Sequence, residues 1–487
     1  MSAGMSAGVS PEVERARMLI RDARAEFADD ARAATELAAA ERRLDEPLRV
    51  ALVGKLKSGK STLLNALVGE EIAPTDATEC TRVVTWFTRS AGPRVELTHD
   101  GGRRTALPVH RVDGRLRLDL GPVPADRVER LTVGWPSTLL DRYTIIDTPG
   151  TSSNSPDVSA RTLAFLAPEE GVCEAEAIIF LMRSRHDSDV ELLRQIQREA
   201  GGGGPLGIVG VLSRADEIDG PRRRTEELRT DPELTGLPRD FVAVSGLLAV
   251  RGQTLRQREF TALRTLAGLS DEVLASVLVS AGRFSSADVP VPAAERPQLL
   301  EAFGLLGIRT AINLIRAGAH DAPALAAELV RQSGLDELRL LLDARFGSRH
   351  GQLKAHAAVG TVRRVLERLP ARRAAQATRL LRAAERLLAD AHASTELRVL
   401  AGLPALPVPE PTRCALERAL GGRGVAPATR LRLPADASPD QLRTVALHAI
   451  GHWRRRLDHP LLDPPTERAY RAAVRSCEAV VSGTFER

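Results

Sequence analysis

The chain has 487 residues, 43% of them hydrophobic and 27% charged, with a net charge of +5 and an isoelectric point near 9.4. That balance excludes wholesale disorder and leaves room for two or three domains. Aromatic residues are only 3%, so cores must be built from Leu, Val, Ile and Ala, and the four cysteines (Cys80, Cys173, Cys414, Cys477) lack the spacing of a zinc site.

A basic surface attracts the phosphates of nucleic acid or of anionic lipid, although here both signs of charge are interspersed. Met1 to Ser10 is small and polar, without a basic-then-apolar signal pattern. No apolar run reaches the roughly 20 residues that a bilayer demands. These features lead to the expectation of a cytoplasmic protein whose membrane contact is peripheral.

In chain order, Val13, Ala16, Ile20, Ala23 and Phe27 recur at three- and four-residue steps and predict a helix. A second helix is expected from about Ala31 to Leu44, ending near Pro47. Strands are then expected at Leu48–Val53, Val83–Thr88, Val95–His99, Leu131–Trp135, Thr144–Asp147, Ala177–Met182, Ile208–Ser213 and Phe241–Ser245. Asp100-Gly101 suits a hairpin turn near Val95–Leu107. Helical segments between the later strands, such as Val190–Ala200, predict an α/β fold with a mostly parallel sheet covered on both faces.

After Ser245 the chain is almost wholly helix-forming. Three apolar stripes stand out: Ala355/Ala358/Val359/Val362/Leu366/Leu369, Leu380/Ala384/Leu387/Ala391 and Ala469/Ala473/Cys477/Val480. Such stripes must be buried, most economically in a bundle that the N-terminal helices join. The expected domains are residues 1–46 (bundle helices), 47–345 (nucleotide domain) and 346–487 (helical trunk). The place of 290–345 is open between the two larger units; Ser333-Gly334-Leu335 favours a helix packing back on the sheet.

The chemistry lies in the strand-rich part. Gly54-Lys55-Leu56-Lys57-Ser58-Gly59-Lys60-Ser61 matches the phosphate-binding pattern G-x-x-x-x-G-K-[ST], between a strand and a helix starting at Thr62. Glycines let backbone N–H groups form a concavity and the helix N-terminus adds a positive field. Lys60 then reaches the β- and γ-phosphates, and Ser61 ligates Mg²⁺. Asp147-Thr148-Pro149-Gly150 follows a strand; after a P-loop it makes Asp147 a Mg²⁺ residue and Gly150 a γ-phosphate sensor.

Ser213-Arg214-Ala215-Asp216 matches the guanine motif [NT]-K-x-D with two conservative changes. Asp216 accepts from N1–H and the exocyclic amine of guanine, a donor pair adenine lacks, and Arg214 is expected to stack on the base. A plain helix-capping aspartate is the competing explanation. Ser245-Gly246 ends the next strand as a further base loop. Between Ala73 and Arg82 a threonine should bind Mg²⁺ and hold the attacking water; Thr81 is the first choice, with Thr78 and Thr75 as alternatives.

With these five elements in order and long helices on both sides, the chain resembles bacterial dynamin-like GTPases, and among them the isoniazid-inducible dynamin-like proteins of mycobacteria, the C-type member in particular. The likeness is carried by Gly54–Gly69, Ala73–Arg82, His452–Arg456 and Ala472–Ala479. The resemblance implies GTP hydrolysis with Mg²⁺, self-association through the GTPase face and a trunk that touches lipid. Dynamins commonly carry Gln and Ser where this chain has Leu56 and Lys57, and no glutamine follows Gly150, where Thr151, Ser152 and Ser153 stand. Leu56 cannot orient water; Lys57 is a candidate to offset charge between the leaving and transferred phosphates.

For lipid contact, Leu403, Leu406 and Val408 in a proline-rich loop and Arg454-Arg455-Arg456 are the candidates, against the plainer readings of a stiff linker and a solvated helix face. Three functions follow: a GTP-driven membrane-remodelling enzyme, a soluble regulatory GTPase, and a GTP-binding, non-catalytic partner of a paralogous dynamin-like protein. No nucleic acid partner is expected, because the basic-aromatic sheet of common RNA modules is missing.

Overall fold

A computed structural model describes the chain apart from residues 1–9, 75–82, 100, 113–114, 121–122, 151–164, 167–172, 201–204, 206, 235–239, 371–372, 391, 404–405 and 484–487. Thr75, Thr78, Thr81 and Thr151–Ser153 therefore lie outside the described residues.

Strand β1 (Leu48–Gly54) is buried on both faces. Leu48, Val50 and Leu52 enter one core cluster; Ala51 and Val53 enter another. A strand apolar on both sides belongs in the middle of a sheet. It pairs in parallel with β8 (Tyr143–Asp147) and β9 (Ala177–Met182), and β9 continues to β10 (Gly207–Ser213) and β11 (Phe241–Val244). Beyond β8 the sheet turns mixed. β2 (Thr85–Arg89) is antiparallel to β8 and parallel to β7 (Val128–Trp135), which carries the hairpin β3 (Arg94–His99) and β4 (Arg104–Leu107). Val95 faces Leu107 in that hairpin, whose turn carries Gly101 and Gly102 at positive φ. A separate ribbon, β5 (His110–Val112) with β6 (Arg115–Arg117), has no counterpart in the sequence reading.

The five strands from β8 to β11 point the same way, so their following loops meet at one edge. Those loops carry Gly54–Ser61, Asp147–Gly150, Ser213–Asp216 and Ser245–Gly246, which is where parallel sheets place ligands.

After β11, helices from Gly246–Thr254 to Ala322–Gln332 share a core of their own around Phe260, Leu263, Phe284, Phe303, Ile308 and Leu325. The helix Glu295–Arg316 corrects one expectation. By length and composition it could cross a membrane. It is broken at Gly304 (φ 62°, ψ 172°), and its Phe303, Ile308 and Ile312 are buried in that core.

The N-terminal helices Pro11–Glu26 and Ala31–Arg43 pack on His350–Glu367 and Ala374–Asp390 through Ile20, Phe27, Leu37, Val362, Leu380 and Ala384. A further core joins Leu416, Leu420, Trp453, Ala469, Tyr470 and Ala473, with Trp453 stacked on Tyr470 at 5.7 Å. Leu403, Leu406 and Val408 belong to this core, at 0%, 5% and 8% exposure, and do not face outward as expected. Two short backbone bonds, Leu406 N to Leu403 O at 3.2 Å and Val408 N to Leu406 O at 2.8 Å, curl the segment inward. Leu403→Ala is accordingly expected to cost about 2–4 kcal/mol of stability in denaturant titrations; a loss of lipid binding at unchanged stability would contradict this packing.

Candidate nucleotide site

Gly54 ends β1 where no other residue fits. A Cβ there would lie 2.5 Å from Leu181 O and 2.8 Å from Ser58 Oγ. The loop then turns through Lys57 (φ 62°) and Gly59 (φ 91°), and Gly59 starts the helix Lys60–Val68 without a side-chain cap. Its first amides are thereby left open to an anion.

Lys60 is 8% exposed and donates from Nζ to Gly54 O (3.0 Å) and Lys55 O (3.2 Å). Burial pushes its ammonium below the ordinary lysine range, and Asp147 pulls it back up. Burial likewise raises the Asp147 carboxyl, against the pull of Lys60 and Ser61. Ser61 Oγ donates to Asp147 Oδ2 at 2.9 Å, while Asp147 Oδ1 is buried without a hydrogen-bond partner. A hydroxyl beside a carboxylate with an unsatisfied buried oxygen is an oxygen donor set that fits Mg²⁺. Gly150 lies against the P-loop: a Cβ there would be 2.7 Å from Leu56 Cα.

Beside the loop opens a cavity of about 220 Å³, lined among others by Gly59, Thr62, Ser213, Arg214, Asp216 and Gly246. Ser213 Oγ donates to Met182 O at 3.2 Å, fixing the end of β10 to β9. Ser245 Oγ accepts from Leu248 N at 3.2 Å and caps the helix Gly246–Thr254. Gly246 allows that helix to sit on Thr62, whose Cγ2 would be 3.3 Å from a Cβ. Residues from three of the strand-end loops therefore meet around one cavity.

Arg214 adopts φ 54°, and its guanidinium donates to Lys57 O at 3.2 Å and Glu217 Oε1 at 3.0 Å. The residue expected to stack on the base thus also ties the base loop to the P-loop. Lys57 and Leu56 are both exposed, Leu56 at 49%.

Several supporting residues escaped the sequence reading. Asn65 accepts from Ile72 N (2.9 Å) and Ala73 N (2.7 Å) and donates to Ala73 O (3.0 Å), anchoring the start of the threonine-bearing segment. A polar side chain on the otherwise apolar Leu63–Leu67 run was its only signal. Lys55 pairs with Asp189 at 3.3 Å, and Leu247 joins the cavity wall; nothing local marked either.

A sequence profile of the dynamin family matches residues 50–214, the stretch holding the P-loop, Asp147 and Arg214. Over 459 residues, 90% of this chain and 91% of the relative, the sequence is 47% identical to the isoniazid-induced protein IniC of Mycobacterium tuberculosis. The chain belongs to the dynamin family. Other dynamin-family relatives match shorter stretches. The isoniazid-induced protein IniA of M. tuberculosis is 31% identical over 46% of this chain and 34% of its own length. The bacterial dynamin-like protein of Nostoc punctiforme is 29% identical over 35% and 25%. A solved structure of an oligomerised bacterial dynamin pair covers 99% of this chain and 88% of its own at 13% identity, with a TM-score of 0.37. As a dynamin-family protein it is a GTP-binding protein, and the strand-end loops described above are its candidate nucleotide site.

Proposed function

We propose that the protein binds GTP with Mg²⁺, hydrolyses it, and uses the cycle to drive self-association at the inner face of the cell membrane. The observation that carries this reading is Asp216, which lines the cavity directly beside the P-loop; from there its carboxylate would accept from the two donors of guanine. Lys60 and the open amides of the Lys60 helix bind the phosphates. Ser61 and Asp147 would hold Mg²⁺, which when bound draws charge from the β- and γ-phosphates. Thr81 is assigned to the attacking water from its place in the sequence, between the P-loop and Asp147 and just before a strand.

Besides Lys60, the exposed Lys57 of this loop would add positive charge next to the transferred phosphate. Lys57→Ala is expected to lower kcat about tenfold with KM unchanged, less than the 10²–10³ of a donor in a closed site, because Lys57 is exposed. Turnover equal to wild type, with Lys60→Ala as the inactive control, would remove Lys57 from the reaction.

Membrane contact no longer rests on Leu403, Leu406 and Val408, which are buried. It rests on the family and on Leu461, 86% exposed in the turn just after Arg454-Arg455-Arg456. GTP turnover and co-sedimentation with anionic vesicles, measured on one sample, test the proposal. Lipid-stimulated turnover supports it, and Leu461→Asp should release the protein from the vesicles. Tight GTP binding without turnover favours a second reading, a non-catalytic partner of a paralogous dynamin-like protein. Leu56, which offers no hydrogen-bonding group, is the observation behind that alternative.

A further inference from the structure

Among the described residues, Lys57, Arg214 and Arg432 are the non-glycine residues with positive φ, and the first two are bonded to each other: Arg214 Nη2 donates to Lys57 O at 3.2 Å. A side chain in the left-handed region stays there only where its surroundings fix it. The second tie of Arg214 runs the other way. Its Nη1 donates to Glu217 Oε1 at 3.0 Å, and Glu217 Oε2 accepts from Arg183 Nη2 at 2.9 Å. Each oxygen of one carboxylate thus takes one arginine. Glu217 ends the turn Ala215–Glu217, and Arg183 is the residue after β9, whose last carbonyl, Met182 O, accepts from Ser213 Oγ at 3.2 Å. A line of charge therefore runs from the end of β9 through the base loop to the P-loop.

An arginine at this position has a need that a lysine lacks. Lysine, the usual residue of the motif, carries a compact ammonium with rotatable donors, and the one carbonyl of residue 57 is enough to hold it. A guanidinium is planar, with its donors in a rigid fork, and a single acceptor leaves the plane free to turn about that bond. With Lys57 O on one amino group and Glu217 Oε1 on the other, the plane is fixed at two points. Arg214, Asp216 and Glu217 all line the cavity. Fixing the guanidinium therefore fixes part of the cavity wall.

We infer that Glu217, backed by Arg183, is a positioning residue for the guanine nucleotide: it holds the plane of the Arg214 guanidinium at the cavity wall, and so lets an arginine stand where the motif has a lysine. This rests on the guanine-nucleotide reading of the cavity. Glu217 acts through Arg214 and needs no contact of its own with the base. Arg183, Glu217 and Arg214 are 52%, 34% and 39% exposed in their side chains. Water screens each pair, and exposed pairs are worth little singly. The effect on affinity is therefore a few-fold, and salt weakens it. It is also the same for GDP and GTP, which share the base and differ only in their phosphates.

Titration calorimetry on the full chain tests it, with GDP and a non-hydrolysable GTP analogue. Glu217→Ala is expected to weaken both by one common factor of about three at low salt. The gap from wild type should close toward unity at about 1 M salt, where the screening length is only about 3 Å. Arg183→Ala should act in the same direction by about twofold. The deciding arm is the Arg214→Lys background. There Glu217→Ala should change affinity by less than about 1.5-fold, because an ammonium is held by Lys57 O without the carboxylate. An equal loss in both backgrounds would mean that Glu217 acts on the fold or the base directly, and overturns the inference. So would wild-type affinity in Glu217→Ala, or a loss confined to one nucleotide. If Glu217→Ala does not fold, Arg183→Ala carries the test in the same two backgrounds, and wild-type affinity there overturns the inference as well. Failure of the wild-type chain to bind any guanine nucleotide is a separate result, which defeats the reading beneath it.

Discussion

Asp216→Asn is expected to weaken GTP binding by roughly 10²–10⁴-fold and to turn the site toward xanthosine triphosphate. Two charge-assisted hydrogen bonds from guanine to one carboxylate are each worth roughly 1.5–3 kcal/mol. Asparagine keeps the volume but replaces one acceptor with a donor, which suits the extra carbonyl of xanthine. Arg214, Ser213 and the cavity wall stay in place, so the change is in selectivity and not in folding. Competition against a fluorescent guanine nucleotide measures both arms. Equal affinity of the variant for GTP would show that Asp216 is only a residue of the turn Ala215–Glu217 and makes no contact with the base.

Glu396→Ala is expected to cost about 3–5 kcal/mol of stability, because it strands buried cations. Glu396 is 1% exposed. Its Oε2 accepts from Arg430 at 3.0 Å and lies 3.5 Å from Arg349, and its Oε1 accepts from Ser476 at 2.6 Å. Burial pushes Arg349 down to about 10. Burial also opposes the charge on Glu396, but the hydrogen bond from His392 and the charges of Arg430 and Arg349 outweigh it and hold the carboxyl well below the usual range. A carboxyl lowered in the fold stabilises fully above the unfolded value of about 4.3. That contribution is lost as the pH falls from there toward the folded value. Thermal melts should therefore show a Tm loss of roughly 6–20 °C for the variant at pH 7, and a wild-type advantage that shrinks below about pH 4. A variant melting within 2 °C of wild type would mean that the two arginines find solvent or other acceptors.

Both predictions concern carboxylates, yet only the first was visible in the chain. Asp216 stands in a four-residue motif after an apolar run, and a strand end followed by such a turn is a local pattern. The P-loop is local in the same sense: Gly54 and Gly59 supply backbone shapes, and Lys60 and Ser61 follow at once. Glu396 carries no such mark. It sits on a helix among ordinary polar residues, and its partners are 34 and 80 positions away. Leu403, Leu406 and Val408 failed for a related reason. Prolines predict a stiff segment, but which way its apolar side chains point depends on the helices around Trp453 and Tyr470.

The sequence by itself named Lys60, Ser61, Asp147 and Asp216 as the candidate guanine-nucleotide residues at strand ends, because those groups act through short, contiguous stretches of backbone. Only the tertiary structure decided that Arg214 is tied to Lys57, that Leu403, Leu406 and Val408 are core, and that Ser245 is tied to Ser333 just before Leu335–Arg345. Burial and charge compensation are settled between distant residues, and spacing along a chain does not encode them.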